Sequence, residues 1–355
     1  MVSYSKRKNW NSQNKYFKMK DKSPLVSLVT PGWNGKLFVH RLLDSIINQT
    51  YRPIQYIYVD DCSTDGTIDV VSSYAEKFKS SGIDFLLLRR NINGGLSEAI
   101  KDGLRHARGD YFSCPEYDDV LLPESVAKRV HYLEMHPSYG VVTADSWVVK
   151  ENALDKRIRL LTHSNPNRYE LNHFVQTLYF KTTFNAACNM IRMHAFDAPR
   201  ESRQFVSSRL GPNAQILLPI YYHYSKGFIP EPLSLFVERA SSLSHTQYLS
   251  YEAKVDRTKE FERIMIATLK TIDMPVDDLD TFVLISTVYF HKNDYIRFAF
   301  EFDKKQEFLK SYQLLKQHGE VDVDIQRLHD LMFNSRYRIK ERIKQHVISF
   351  LNKII

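Results

Sequence analysis

The chain contains few cysteines and no long apolar run, and both shortages narrow the class of protein. Its three cysteines, Cys62, Cys114 and Cys188, are odd in number and far apart. This spacing favours neither a disulfide framework nor a zinc site, and it is typical of a reducing cytoplasm. The longest apolar candidate, residues 282–290, is far shorter than the roughly 18 residues that indicate a membrane-spanning helix. Because the N-terminal residues also lack the apolar segment of a secretory signal, we expect a cytoplasmic protein.

Two common nucleotide-binding signatures are also missing. No GxGxxG follows the first predicted strand, and no GxxxxGK followed by Ser or Thr occurs in the sequence. The first absence argues against a dinucleotide-dependent oxidoreductase and the second against a P-loop NTPase, because both classes use these glycines to bring the backbone close to phosphate groups.

The positive charge is concentrated in the two tails. The whole chain carries a net charge of +8, whereas residues 1–22 contribute +6 and residues 335–355 contribute +5, which leaves −3 for the part between them. Because the folded part is not basic, no nucleic-acid partner is expected. Basic tails instead suggest contact with an anionic membrane surface or a contribution to solubility.

Short apolar runs alternate with helical stretches through the first third of the chain. This alternation, with short connections, predicts an α/β fold: a doubly wound, mostly parallel sheet with flanking helices. The predicted strands are residues 25–30, 56–59, 85–88 and 111–114, and the predicted helices are residues 37–49, 68–79 and 97–107.

The later part of the chain is less regular. Further strands are predicted within residues 141–149, 186–193 and 235–237, the last of them after a turn at residues 227–232. Residues 216–224 predict a buried helix that Pro219 should kink or begin. From about residue 248 the sequence is helical, charged and rich in tyrosine, which indicates a helical appendage.

Three carboxylates follow the strand predicted at residues 111–114. They belong to Glu116, Asp118 and Asp119. Carboxylates crowded at one strand end repel each other and are costly to bury unless a cation neutralises them. This pattern predicts a divalent metal site. The alternative is that Asp119 caps a helix that begins near Pro123.

Polar clusters also end the second and third predicted strands. Asp60 and Asp61 follow one of them, and Asn93, Gly94 and Gly95 follow the other. Ligands of parallel α/β sheets bind beyond the carboxyl ends of the strands, so these groups suit a nucleotide base, ribose and phosphate. The alternative is that both clusters are ordinary polar turns that carry helix caps.

Together these segments resemble the family 2 glycosyltransferases of GT-A fold. The resemblance lies in the LVSLVTPGWN and YVDDCSTDGT segments of residues 25–67, in NGGLS at residues 93–97, and in ARGDY and EYDD at residues 107–119. It extends over roughly residues 23–240 and is most specific over residues 25–125.

The resemblance implies transfer of a sugar, with inversion, from a nucleoside-diphosphate sugar such as a UDP-sugar to an acceptor hydroxyl. The expected setting is surface polysaccharide or glycan synthesis, with a glycan, lipid-linked or protein acceptor. By position, the implied nucleotide-binding residues are Pro31, Trp33, Asp60, Asp61, Asn93 and Gly94.

The resemblance also implies a bound Mn²⁺ or Mg²⁺ on residues 116–119, here called the acidic segment. Asp118 is the expected ligand, because these cations need hard oxygen donors and can bridge a diphosphate leaving group. Glu116 stands where the family usually has Asp, so its contact is expected to be longer or mediated by water. His245 is a weaker candidate ligand in a late loop.

The general base is the part of the family pattern that this sequence lacks. Where the family usually has an acidic pair, the chain has Asn213 and Gln215, and amides are not useful bases. The remaining candidates are Asp197, Glu201 and Glu238. The lack of a base keeps open a second hypothesis, a non-catalytic protein of the same fold that binds a nucleotide or a partner.

The predicted organisation is a basic tail at residues 1–22, a GT-A domain at residues 23–245 and a helical region at residues 246–355. The last of these ends in a basic amphipathic helix at residues 338–355, with Ile339, Ile343 and Val347 on its apolar face. Such a helix can bind the surface of an anionic membrane, here the inner face, or pack on the protein itself.

Overall fold

A computed structural model describes residues 23–182, 186–199, 203, 205–239 and 249–334. The basic tail at residues 1–22, the predicted helix at residues 338–355, and the candidates Glu201 and His245 lie outside the described residues.

One nine-stranded mixed sheet organises the described chain. Its order is β3-β2-β1-β4-β8-β6-β9-β5, with β7 paired to β6. The neighbours from β3 to β4 are parallel, and so are β6 and β9, whereas β5, β7 and β8 run antiparallel to their neighbours. The strands are β1 (Val26–Gly32), β2 (Ile54–Asp60), β3 (Ile83–Arg89), β4 (Tyr111–Ser113), β5 (Val120–Leu121), β6 (Tyr139–Lys150), β7 (Ala153–Leu160), β8 (Asn189–Arg192) and β9 (Ser225–Glu238).

Helices cover both faces of the sheet and continue beyond it. Those of the sheet domain are α1 (Val39–Ile47), α2 (Thr67–Ser72), α3 (Ala75–Ser80), α4 (Leu96–His106), α5 (Ser125–Met135), α6 (Phe174–Leu178), α7 (Met193–Asp197) and α8 (Pro212–His223). Those that follow are α9 (Tyr251–Leu269), α10 (Val276–Phe290), α11 (Ile296–Glu301), α12 (Lys305–Gln317) and α13 (Val323–Phe333), with a π-helical turn, His291–Tyr295, between α10 and α11.

The strands and helices predicted for the first third are confirmed, with one difference. The helix predicted at residues 68–79 is two short helices, α2 and α3, and the break between them turns Tyr74 and Phe78 into the core. Strands β1 and β2 are buried along their whole length, as expected for central strands of a sheet that is covered on both faces.

Two of the later strands are longer than predicted, whereas the strand predicted at residues 186–193 is shorter and is confined to β8 (Asn189–Arg192). Residues 141–149 lie in one strand, β6, and the turn predicted at residues 227–232 is wrong because those residues lie within β9. Pro230 and Pro232 are tolerated because the pairing of β6 with β9 slips between Ala144 and Asp145, so the prolines fall at a bulge. Pro219 lies inside α8, which begins at Pro212, so Pro219 does not begin the helix.

Two of the appended helices share the main core of the sheet domain. Met265 and Leu269 of α9 and Phe282 of α10 are buried in the same apolar cluster as Val29 of β1. Helices α11 to α13 instead close around a separate cluster that includes Phe308. In the part of the chain that the structure describes, no helix is long and apolar enough to cross a membrane.

Candidate active site

Asp61 follows β2 and is fully engaged by the loop after β3. Its Oδ1 accepts hydrogen bonds from the Gly94 backbone N–H at 2.9 Å and from Arg90 Nη1 at 2.8 Å, and its Oδ2 accepts one from the Gly95 N–H at 2.7 Å. Asp61 is buried, so these charge-assisted bonds form where water screens them little. Asp61 therefore fixes the backbone of the Asn93-Gly94 loop.

The neighbouring Asp60 keeps one buried oxygen free of hydrogen bonds from the residues that the structure describes. Sheet register places it beside Gly32 of β1 and Arg89 of β3. Its Oδ2 accepts a bond from the Ser63 backbone N–H at 3.1 Å and lies 3.7 Å from Arg89 Nε. Its Oδ1 is buried and finds no hydrogen-bond partner within the described residues. An unpaired buried carboxylate oxygen is costly, and a ligand N–H or hydroxyl would satisfy it.

Pro31 and Trp33 lie at the carboxyl end of β1. The Trp33 side chain is 40% exposed, whereas Pro31 is buried. The next residue, Asn34, donates its backbone N–H to Ser63 Oγ at 3.0 Å, and its Oδ1 accepts from the Thr64 N–H at 2.9 Å. These bonds join the loops after β1 and β2, so the Trp33 ring stands at the same sheet edge as the two aspartates.

The loop before α8 binds the Asn93 loop. Arg209 donates from Nη1 to the Asn93 carbonyl at 2.9 Å and from Nη2 to Asn93 Oδ1. Gly95 packs against the Arg209 backbone so closely that a Cβ there would lie 2.7 Å from Arg209 Cα. Ser97 Oγ donates to the Leu210 carbonyl at 2.6 Å. The loop before α8 is therefore tied to the Asn93-Gly94 loop.

The acidic segment crosses the end of β4 and is largely buried. Burial raises the pKa of Glu116 to about 7, with the charge of Asp118 adding to the rise and Arg239 opposing it. Burial also raises the pKa of Asp118, against the opposing charge of Arg239. For Asp119, burial and then the charges of Glu116 and Asp118 raise the pKa well above its ordinary value. Ionisation of this segment is therefore unfavourable by itself, and an added cation would favour the ionised form.

Asp119 is an internal support rather than a helix cap. Its Oδ2 accepts a hydrogen bond from the Glu116 backbone N–H at 2.8 Å. Helix α5 begins after Glu124 without a side-chain cap, so the prediction that Asp119 caps this helix is wrong. This turn holds Glu116 and Asp118 in place.

Arg239, directly after β9, is the cation paired with Asp118. Its Nη2 lies 2.5 Å from Asp118 Oδ2, and the two side chains are only 14% and 18% exposed. The guanidinium lies 4.6 Å from the Phe38 ring centre and 5.8 Å from that of Tyr117. Gly35 leaves room for the Tyr117 ring, since a Cβ there would lie 2.5 Å from it. The loop after β1 and the acidic segment therefore meet at Arg239.

Glu151 is a neighbour of this site that the sequence did not reveal. It lies in the turn between β6 and β7, and its backbone N–H donates to the Glu238 carbonyl at 3.2 Å. Its charge adds to the rise in the pKa of Asp118. No motif precedes or follows Glu151, so only the pairing of β6 with β9 could have indicated its position.

The two candidate bases among the described residues lie at different ends of the sheet. Asp197 accepts from Arg203 Nε and Nη2, both at 2.8 Å, and Arg203 also binds the Leu104 and Ala107 carbonyls where α4 ends. Helix α4 begins at the carboxyl end of β3, so Asp197 lies at the edge opposite the acidic segment. Glu238 ends β9 beside the site, and its Oε1 lies 3.3 Å from Arg159 Nη2.

The two amides of α8 differ in their contacts. Gln215 is buried and accepts from the Val206 backbone N–H at 2.6 Å, so it shapes the preceding loop. Asn213 is partly exposed and makes no side-chain hydrogen bond with any described residue.

The donor set suits a divalent cation that is shared with a bound diphosphate. Asp118 and Glu116 offer hard oxygens, and the ion pair with Arg239 shows that Asp118 accommodates positive charge. Among the described residues, no group of three or more His, Cys, Asp and Glu side chains is arranged to hold a metal alone. Mg²⁺ commonly binds through one or two carboxylates with substrate phosphates as further ligands, and the residues present fit that pattern.

Solved structures of glycosyltransferases share this fold. TarS of S. aureus (residues 1–349, in complex with UDP-GlcNAc) superposes with a TM-score of 0.60 at 14% identity, covering 90% of this chain and 92% of that one. The mannosyltransferase PcManGT from Pyrobaculum calidifontis, in complex with GDP-Man and Mn²⁺, superposes with a TM-score of 0.51 at 16% identity, covering 94% and 87%. At these identities the likeness is one of fold, and it defines the chain as a GT-A type protein.

Sequence comparison finds a match to one family model. Residues 27–198, just under half of the chain, match the model of glycosyl transferase family 2. An uncharacterised glycosyltransferase of Rickettsia prowazekii is 35% identical over 120 residues, which are 34% of this chain and 35% of the relative. TuaG of Bacillus subtilis, provisionally named as a teichuronic acid biosynthesis glycosyltransferase, is 29% identical over 110 residues, which are 31% of this chain and 42% of the relative. The chain therefore aligns with less than half of the length of these relatives.

Proposed function

We propose that the protein transfers a sugar from a UDP-sugar to an acceptor hydroxyl, with inversion, during synthesis of a surface polysaccharide or glycan. The observation that carries the proposal is the meeting of the acidic segment with the loops after β1, β2 and β3 at one sheet edge. The TarS complex with UDP-GlcNAc supports the choice of donor, and the provisional name of TuaG supports a polysaccharide product.

Each part of the site has a separate task in this proposal. Trp33 and Pro31 flank the base, and the free oxygen of Asp60 accepts from the base or ribose. Asp61 holds the Asn93-Gly94 backbone against the nucleotide. These groups orient the donor before reaction, which is the main contribution that a binding site makes to group transfer.

The acidic segment faces the diphosphate. Asp118, with Glu116, would hold Mn²⁺ or Mg²⁺, and a bound cation would stabilise the charge that develops on the leaving group. The PcManGT complex with Mn²⁺ supports this assignment. Of the candidate bases in the described chain, Glu238 is the one that lies beside the acidic segment. We propose that its carboxylate removes the proton from the acceptor hydroxyl.

A thermal-shift screen with UDP- and GDP-sugars, with and without Mn²⁺, tests the proposal. A cognate donor should raise the melting temperature of the wild type in a metal-dependent way. Asp118→Asn should lose the metal dependence, and Asp155→Asn, an exposed carboxylate on β7, should keep it. Absence of metal-dependent stabilisation by every donor would exclude the metal-bridged model.

A non-catalytic, nucleotide-binding protein is the second candidate. The observation in its favour is that Gln215 is bound to Val206 and Asn213 is an amide, so neither of these two positions of α8 offers a base. This candidate predicts binding of a nucleotide sugar without turnover. Transfer or donor hydrolysis that Asp118→Ala abolishes would reject it.

We also propose that residues 338–355 bind the inner face of an anionic membrane. The support is the sequence alone, which combines an apolar stripe with basic residues. Flotation with anionic liposomes should require this segment. Equal flotation of the full chain and of a truncation after Asn334 would reject the proposal.

A further inference from the structure

The ion pair between Arg239 and Asp118 occupies the position that the proposed function gives to a metal. The 2.5 Å contact joins Arg239 Nη2 to Asp118 Oδ2, and Asp118 is the carboxylate expected to bind Mn²⁺ or Mg²⁺. A guanidinium and a divalent cation cannot both take this oxygen closely, because the two positive charges would repel each other at short range.

The contact is built into the fold rather than made by a loose surface side chain. Arg239 follows the last residue of β9, and its guanidinium lies over the rings of Phe38 and Tyr117. Cation–π contacts of this kind stabilise a buried guanidinium. Nearby Glu116 and Glu151 add negative charge around it. These contacts keep the Arg239 guanidinium beside Asp118 as long as no other cation neutralises the carboxylates.

We propose that Arg239 is an internal counter-cation that competes with the divalent metal for Asp118 and so makes metal binding depend on the donor. This inference rests on the proposed function. A donor brings two phosphates, which offer the guanidinium a new anionic partner and offer the metal additional oxygen ligands. Arg239 can then leave Asp118 without being left buried and unpaired. Metal and donor should therefore bind cooperatively, and each should tighten the binding of the other by the same factor.

Direct Mn²⁺ binding, measured by electron paramagnetic resonance on the full chain, tests the inference without any turnover. Without nucleotide, Arg239→Gln should bind Mn²⁺ about tenfold more tightly than the wild type, a change within the usual range of coupling. Arg239→Lys keeps the positive charge and should remain close to the wild type. Asp155→Asn serves as the control for a change of surface charge.

A second arm adds UDP at saturating concentration. UDP should tighten Mn²⁺ binding in the wild type by a larger factor than in Arg239→Gln, because the variant has no cation to displace. Equal or weaker Mn²⁺ binding by Arg239→Gln without UDP, in a variant that unfolds as cooperatively as the wild type, would overturn the inference.

The two proposals fail in different ways. Suppose that the wild type binds Mn²⁺ with UDP, but that Arg239→Gln binds Mn²⁺ no more tightly than the wild type when UDP is absent. Then Arg239 does not compete with the metal, and the proposed donor site still holds. If no variant binds Mn²⁺ even with UDP or GDP, the metal-bridged donor site itself is wrong.

Discussion

At the scale of single residues, Asp60 and Asp61 are neighbours in the sequence with different surroundings. Asp61 has three donors on its two oxygens, whereas Asp60 keeps Oδ1 without a partner among the described residues. One aspartate therefore builds the nucleotide loop, and the other is available to a ligand.

Replacing Asp61 should destabilise the fold. Asp61→Ala leaves the Gly94 and Gly95 N–H groups and Arg90 Nη1 without this acceptor, while Arg90 Nε keeps its bond to Asp102. We therefore expect a loss of about 3 kcal/mol in the free energy of unfolding. Asp84→Ala is the matched control, because Asp84 pairs with Arg108 on the surface and should cost less than about 1 kcal/mol. Urea denaturation measures both values, and equal losses would contradict the assigned role.

His173 should make stability depend on pH. The side chain is 2% exposed and its Nδ1 has no hydrogen-bond partner in the described chain. Burial, together with the nearby charge of Lys226, lowers its pKa from 6.5 to about 3. Between pH 6.5 and about pH 3, the unfolded chain therefore binds a proton at His173 that the folded chain does not bind. The stabilisation that comes from holding His173 neutral is complete above pH 6.5 and is lost as the pH falls.

The test is the fall in unfolding free energy between pH 7.5 and pH 5. His173→Phe removes the titrating group while keeping a ring beside Tyr221, and it should reduce this fall by about 2 kcal/mol. His163→Phe, an exposed histidine, should leave the fall unchanged. An identical fall in wild type and His173→Phe would show that His173 is not held neutral.

At the scale of elements, the loops before α4 and α8 behave as one unit. Gly95 has φ of +86° and no room for a Cβ beside Arg209, whereas Gly82 has φ of +68° with nothing within 4 Å. Gly95→Ala should therefore combine backbone strain with a backbone collision, and Gly82→Ala should show strain alone.

We expect Gly82→Ala to cost about 1 kcal/mol and Gly95→Ala distinctly more. Gly95→Ala should also weaken binding of the nucleotide, because the displaced loop carries Asn93. Chemical denaturation and isothermal titration with UDP give the two readouts. Equal stability and equal UDP affinity of the two variants would show that the loops are independent.

The elements also show what local sequence signals can predict. Strands β1 to β4 and helices α1 and α4 carry continuous apolar runs or helical spacing, and their prediction is confirmed. The full length of β9 could not be predicted, because Pro230 and Pro232 are compatible with a strand only through a slip in its pairing with β6.

The candidate site likewise combines residues that local sequence signals predict with contacts that those signals do not predict. Asp61 and Asp118 were expected because each follows a predicted strand. The pairing of Asn93 with Arg209 joins residues 116 positions apart, and the approach of Glu151 to Asp118 depends on sheet order. Such contacts leave no periodic pattern in the sequence, so local reasoning cannot find them.

At the scale of the whole molecule, the sheet domain and the first two appended helices share a core. Leu269 of α9 is fully buried in the cluster that contains Val29. We expect Leu269→Ala to lower the free energy of unfolding by about 3 kcal/mol, and to shift a single transition that includes the sheet.

Leu284 of α10 provides the matched control. It is 39% exposed, so Leu284→Ala should cost less than about 1 kcal/mol. Circular dichroism and tryptophan fluorescence should report one midpoint for each variant. Two separated midpoints in Leu269→Ala would indicate that α9 and α10 unfold independently of the sheet.

The central claim is that Asp118 serves the diphosphate end of a nucleotide-sugar site. The most direct measurement is release of nucleoside diphosphate from a panel of UDP- and GDP-sugars with Mn²⁺, in wild type, Asp118→Asn and Asp155→Asn. We expect release from at least one donor by the wild type and by Asp155→Asn, and a loss of about 100-fold or more in Asp118→Asn. Release that Asp118→Asn leaves unchanged, or release of inorganic phosphate instead of nucleoside diphosphate, would contradict the account.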